Sequence, residues 1–99
     1  MKAPIFIGVP EDLPREMVVR YLGSCREDLT RLHAALAAGD FASARRLGHQ
    51  MKGTGSPYGF AEVTPLGQAI EQAAAAGGAS ELARQIHLLE TYLELVEIV

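Results

Sequence analysis

Tryptophan is missing from the 99 residues, cysteine occurs once, and aromatic side chains make up only 6% of the chain. A core so poor in bulky rings has to be filled by aliphatic side chains and alanine. The 48% hydrophobic content supplies them, and that composition suits a helical protein. The single cysteine, Cys25, cannot close an internal disulfide, and no Cys/His pair has metal-ligand spacing. Its position favours a small buried residue over a reactive thiol.

Basic side chains are the minority: 9 Lys and Arg stand against 12 Asp and Glu, for a net charge of −3. A nucleic-acid partner normally requires a basic excess, so none is expected. The cations are also too few and too localised for a membrane-binding helix. No long apolar run is present. Residues 1–10 are apolar but short, and Pro4 and Pro10 interrupt them, unlike a signal peptide or a membrane span. A cytoplasmic protein is the expectation. Internal repeats, low-complexity tracts and linkers are missing too. The length suffices to bury one core, so residues 1–99 are expected to form one domain.

What is present is helical periodicity. Ile5, Phe6, Ile7 and Val9 form a short β-like run with no partner strand in sight, which predicts an extended arm packed on the rest. Pro14 is suited to a first helical turn. Val18, Leu22, Cys25, Leu29, Leu32 and Leu36 then recur in steps of four and three, the spacing of one buried helical stripe. Gly39 supplies a stop and Asp40 a cap for a second helix, from about Phe41 towards Tyr58. Pro57 removes a backbone donor, so this helix should bend or end between Gly53 and Gly59. A third helix starts between Ala61 and Thr64, carries Leu66, Ile70 and Ala73 inward, and ends at Gly77-Gly78. Ser80 is the expected cap of a fourth, with Leu82, Ile86, Leu89, Leu93 and Val96 as its stripe. Short connections make the fold class all-α: an antiparallel up-down-up-down four-helix bundle with a short extended N-terminal arm.

One stretch does not fit a merely solvated surface. Over residues 44–58, Leu47, Met51, Thr54 and Tyr58 fall on one side of the helix, with Ala44 beside them, and His49 lies opposite. Arg45 and Arg46 sit one turn before His49, Lys52 and Gly53 one turn after it, and Ser56 beyond them. This face of the helix carries no acidic residue of its own. Glycine within a helix costs about 1 kcal/mol relative to alanine, so stability gives no reason for Gly53.

His49-Gln50-Met51-Lys52-Gly53, followed by Gly59 and then by Leu66, Ile70 and Glu71, resembles the His-x-x-Lys-Gly signature of histidine-containing phosphotransfer (HPt) domains. With its flanking helices the likeness covers nearly the whole chain. The resemblance implies a phosphoryl carrier of a multistep two-component phosphorelay, passing a phosphoryl group between receiver-domain aspartates through a phosphohistidine on His49. It implies no ATP-binding domain and no cofactor, magnesium being expected in the partner's acidic pocket. The expected partners are response-regulator receiver domains or a hybrid histidine kinase, and the expected state is a monomer.

The chemistry agrees with the residue types. A neutral imidazole nitrogen is a good nucleophile near pH 7. Lys52, with Arg45, Arg46 and Ser56 around it, would face a negatively charged partner, and Gly53 would leave room for its approach. In the HPt family a Glu or Gln on the adjacent helix orients the ring. The resemblance gives that role to Glu71, with Gln68 as the substitute, whereas the residues alone leave Glu71 equally open to being a solvated glutamate. His33 and His87 lack a Lys-Gly neighbourhood. The competing reading is a non-catalytic helical module that docks a receiver or another acidic signalling protein; a plain structural or dimerising bundle is a third.

Overall fold

The computed structural model describes residues 2–99; Met1 lies outside them. The elements run β1 (Ile5–Ile7), α1 (Arg15–Ala38), α2 (Phe41–Thr54), a 3-10 turn (Ser56–Tyr58), α3 (Val63–Ala75), α4 (Ala79–Leu95) and β2 (Val96–Ile98). The chain is therefore mostly helical, with four α-helices among the described residues. α1 packs on α2 and α4, and α3 packs on α2 and α4.

The junction of α1 and α2 follows from two residues. Gly39 takes φ 68°, a left-handed conformation costly for other residues, and its N–H donates to Leu36 O. The Asp40 N–H donates to Ala35 O, which completes the junction. The same Asp40 then opens α2, its carboxylate accepting from Ser43 N–H (3.1 Å) and Ser43 Oγ–H (2.6 Å). Pro14 stands just outside α1, with ψ 141°, and not in the first turn.

α2 ends at Thr54, as Pro57 requires, and the 3-10 turn closes on Gly59 at φ 94°. This turn delivers Phe60 into the core, where it is fully buried with Leu32, Ile70, Leu82, Ile86, Leu89 and Leu93. Each such side chain contributes roughly 1.5–3 kcal/mol by leaving water. Tyr58 remains half-buried and stacks on Tyr21 of α1, ring centroids 4.3 Å apart.

Two expectations need correction. The N-terminal arm is a strand with a partner: β1 pairs in parallel with β2, in the register Ile5↔Val96, Phe6↔Glu97 and Ile7↔Ile98. The fold is thus not purely helical. Val96 keeps the inward direction of the α4 stripe, but through extended backbone at ψ 138°. The alternation Val96, Glu97, Ile98 puts both β-branched residues on the inner face with Ile5 and Ile7. Ser80 does not cap α4 either. Gly77, at φ 67°, ends α3, and the chain re-enters a helix at Ala79, leaving Ser80 inside the first turn and Gly78 at the cap position.

Candidate functional site

α2 turns Ala44, Leu47 and Met51 into the core, all less than a tenth exposed. The opposite phase of the helix carries His49 outward, with 66% of its side chain accessible. The apolar stripe therefore fixes the orientation of the histidine: burying one face of a helix presents the other to solvent.

The acidic group that α2 lacks comes from α3. Ile70 is fully buried, so its neighbour Glu71 emerges at the edge of the α2–α3 contact. Glu71 Oε2 lies 2.7 Å from His49 Nδ1, and Glu71 Oε1 lies 2.7 Å from Lys52 Nζ. One carboxylate thus bridges two residues of the neighbouring helix that are three positions apart. Only 18% of the Glu71 side chain is accessible. Hydrogen bonds from Lys52, and then from His49, hold its carboxyl below the usual glutamate range.

That ionisation decides the tautomer of the ring. A carboxylate only accepts hydrogen bonds, so His49 Nδ1–H is the donor. In the neutral imidazole the lone pair then belongs to Nε2, on the ring edge directed away from Glu71.

The other sequence-derived candidates are not drawn into this cluster. Gly53 lies on the exposed side of α2, and a Cβ built there meets nothing within 4 Å. Arg45 is exposed and makes no ion pair among the described residues. Arg46 reaches back one turn to Ser43 Oγ (3.4 Å) and, with Arg31, borders an open groove between α1 and α2. Ser56 belongs to the 3-10 turn, where its backbone N–H and its hydroxyl both meet Thr64 Oγ1, at 3.0 and 3.1 Å. Gln68 is exposed on α3, and its side chain makes no hydrogen bond among the described residues. His33 stands 3.5 Å from Glu90 on α4, and His87 is exposed. Cys25 is buried, and burial pushes its thiol up to about 11, far from the range of a reactive thiolate.

By sequence alone, Lys52 faces an incoming negative charge and Thr64 only bounds the start of the third helix. The structure pairs Lys52 with Glu71 and makes Thr64 the anchor of the turn after α2. Neither contact joins neighbours along one helix, so periodicity could not reveal them.

The model of the Hpt domain matches residues 16–98, a span that contains nearly all of α1, the whole of α2, α3 and α4, and the His49-x-x-Lys52-Gly53 stretch. The chain belongs to the Hpt-domain family. No curated protein and no solved structure matches it. Hpt domains are phosphocarrier modules of two-component signalling and carry no ATP-binding domain, which sets the class of function for this chain. The exposed imidazole of this Hpt domain, backed by a carboxylate, is an arrangement suited to accepting a phosphoryl group.

Proposed function

We propose that this Hpt domain shuttles a phosphoryl group between receiver-domain aspartates in a multistep phosphorelay, with His49 as the residue phosphorylated. The observation that carries the reading is the Glu71 bridge, 2.7 Å from both His49 Nδ1 and Lys52 Nζ. Nε2 attacks the phosphorus of an aspartyl phosphate. The N–P bond forms as the P–O bond to the aspartyl carboxylate breaks, and that carboxylate leaves. With Nδ1 still protonated, the ring gains positive charge during the step, and the adjacent Glu71 carboxylate stabilises it. Transfer onward reverses the same bonds at a second aspartate.

In this reading Lys52 keeps Glu71 ionised and aimed at the ring, and Gly53 leaves the approach to Nε2 open. Arg45 is the cation best placed to meet an acidic partner; Arg46, Ser56 and Gln68 flank the docking face. The partners are receiver domains, free or within a hybrid kinase, and magnesium resides in the receiver's pocket. The short connections between helices support an up-down-up-down course, and residues 1–99 are read as one domain acting as a monomer in the cytoplasm. Among the described residues no helix is long and apolar enough to cross a membrane.

The test is incubation with a panel of receiver domains loaded with acetyl phosphate, followed by intact-mass measurement. A gain of one phosphoryl group, acid-labile and base-stable, is expected on the wild type and not on His49→Gln. ATP alone should give no label. Receiver binding without any phosphoryl gain would select the docking-module reading instead.

A further inference from the structure

We propose that Gly48 and Gly67 are positioning residues for His49: by bringing the backbones of α2 and α3 into contact, they set the distance at which Glu71 meets the imidazole. This rests on the phosphotransfer reading of His49. Gly48 precedes His49 and lies one turn before Lys52; Gly67 lies one turn before Glu71. Each glycine is therefore on the face that its own helix turns to the other.

The approach leaves no space for a methyl group. A Cβ on Gly48 would stand 2.7 Å from the backbone nitrogen of Glu71, 2.8 Å from Gly67 O and 2.9 Å from Ile70 Cγ2. A Cβ on Gly67 would stand 2.5 Å from the backbone nitrogen of Lys52, 2.7 Å from Gly48 O and 2.9 Å from Met51 Cβ. Each glycine thus lies against the backbone of a site residue on the opposite helix. Most of these obstacles are backbone atoms, which no rotamer change can move. Ordinary contacts between such atoms run at about 3.5–4.0 Å, so an alanine at either position would part the helices by about 1 Å.

An added ångström takes the 2.7 Å contact of His49 Nδ1 with Glu71 beyond hydrogen-bond range. Lys52 has four methylenes with which to follow the carboxylate, whereas the imidazole has two torsions and a buried helix face behind it. The histidine contact is the one the spacing controls.

Gly55 provides a matched comparison. A Cβ there would lie 2.8 Å from Thr64 N, 2.8 Å from Val63 Cβ and 2.9 Å from Phe60 O, a steric burden close to that at Gly48, and these nearest atoms belong to none of His49, Lys52 or Glu71. Gly48→Ala, Gly67→Ala and Gly55→Ala are compared by thermal melts, by nitrogen NMR of the His49 ring, and by phosphoryl uptake from phosphoramidate. In that uptake the N–P bond of the reagent breaks, ammonia leaves, and an N–P bond forms at Nε2, so no partner needs to dock. Gly48→Ala and Gly67→Ala should lose the preference for the Nδ1–H tautomer and slow uptake about tenfold or more. Gly55→Ala should melt earlier while keeping the tautomer and the rate. In a Glu71→Gln background, Gly67→Ala should add no further slowing, because its effect passes through Glu71.

Equal slowing by Gly55→Ala, or full additivity with Glu71→Gln, overturns the proposal. Should the alanine variants fail to fold, Glu71→Asp tests the same point. Helices already in backbone contact cannot close a gap left by a shorter side chain, so Glu71→Asp should lose the tautomer preference as fully as Glu71→Ala. Retention of the wild-type tautomer by Glu71→Asp overturns the proposal. A wild type that takes up no phosphoryl group removes the phosphotransfer reading, while the ring NMR still tests the spacing by itself.

Discussion

Lys52 Nζ lies 2.7 Å from Glu71 Oε1, so the lysine charge is directed at the carboxylate beside His49. Lys52→Ala should accordingly let the Glu71 pKa rise, since the hydrogen bond from Lys52 is the largest influence lowering it. It should also loosen the orientation of the ring and slow phosphoryl uptake about tenfold. A half-exposed ion pair contributes little to stability, so the melting temperature should hardly move. Uptake by Lys52→Ala at the wild-type rate would contradict this account.

The pH dependence follows from the same bridge. The native pKa of Glu71 is lower than its ordinary 4.5, so the folded state favours the charged carboxylate. The stabilisation is fully present above the ordinary value and is lost as pH falls through the lowered native one. A carbon NMR titration of the Glu71 carboxyl should give a midpoint under 4.5, moving upward in Lys52→Ala. A midpoint at or above that value would mean that the bridge does not form in solution.

Gly53 should separate stability from function. Open space surrounds the position, so Gly53→Ala is expected to stabilise the protein by about 0.5–1 kcal/mol through helix propensity. Gly53→Leu should also fold, yet its side chain would project beside His49. Transfer from a loaded receiver should then be lost while uptake from phosphoramidate survives. Receiver transfer by Gly53→Leu at the wild-type rate would remove the role given to this glycine.

Phe60 carries the opposite expectation. It is fully buried at the end of the turn that follows α2. Phe60→Ala should cost about 3–5 kcal/mol, measured by urea unfolding. Below its melting temperature the variant should still accept a phosphoryl group, because Phe60 takes no part in the bridge of His49, Glu71 and Lys52. A loss under 1 kcal/mol would show that the turn repacks freely.

Much of the helical layout was legible because its causes are local. The four-and-three stepping from Val18 to Leu36 marks α1, Gly39 and Asp40 each end or begin a helix by their own chemistry, and Pro57 stops α2 by lacking a donor. The strand pair was not legible. Three residues give too short an alternation, its partner lies at the other end of the sequence, and Val96 happens to prolong the α4 stripe. Ser80 misled because a good capping residue is used only if the chain is still outside a helix when it arrives. At the site, the phase of His49 could be read from Leu47 and Met51. The contact of Lys52 with Glu71, and the closeness that Gly48 and Gly67 permit, could not: glycine spacing does not say which surface a helix will meet.

The pairing of β1 with β2 has a kinetic side. Ile5 and Val96 are joined across almost the whole chain, whereas the helix junctions at Gly39-Asp40 and Gly77-Gly78 join near neighbours. Closing so large a loop has a high entropic cost until packed helices have brought its ends together. The two strands should therefore zip up after the rate-limiting barrier. Mutations in them, such as Ile7→Ala, should speed unfolding while leaving the folding rate almost unchanged.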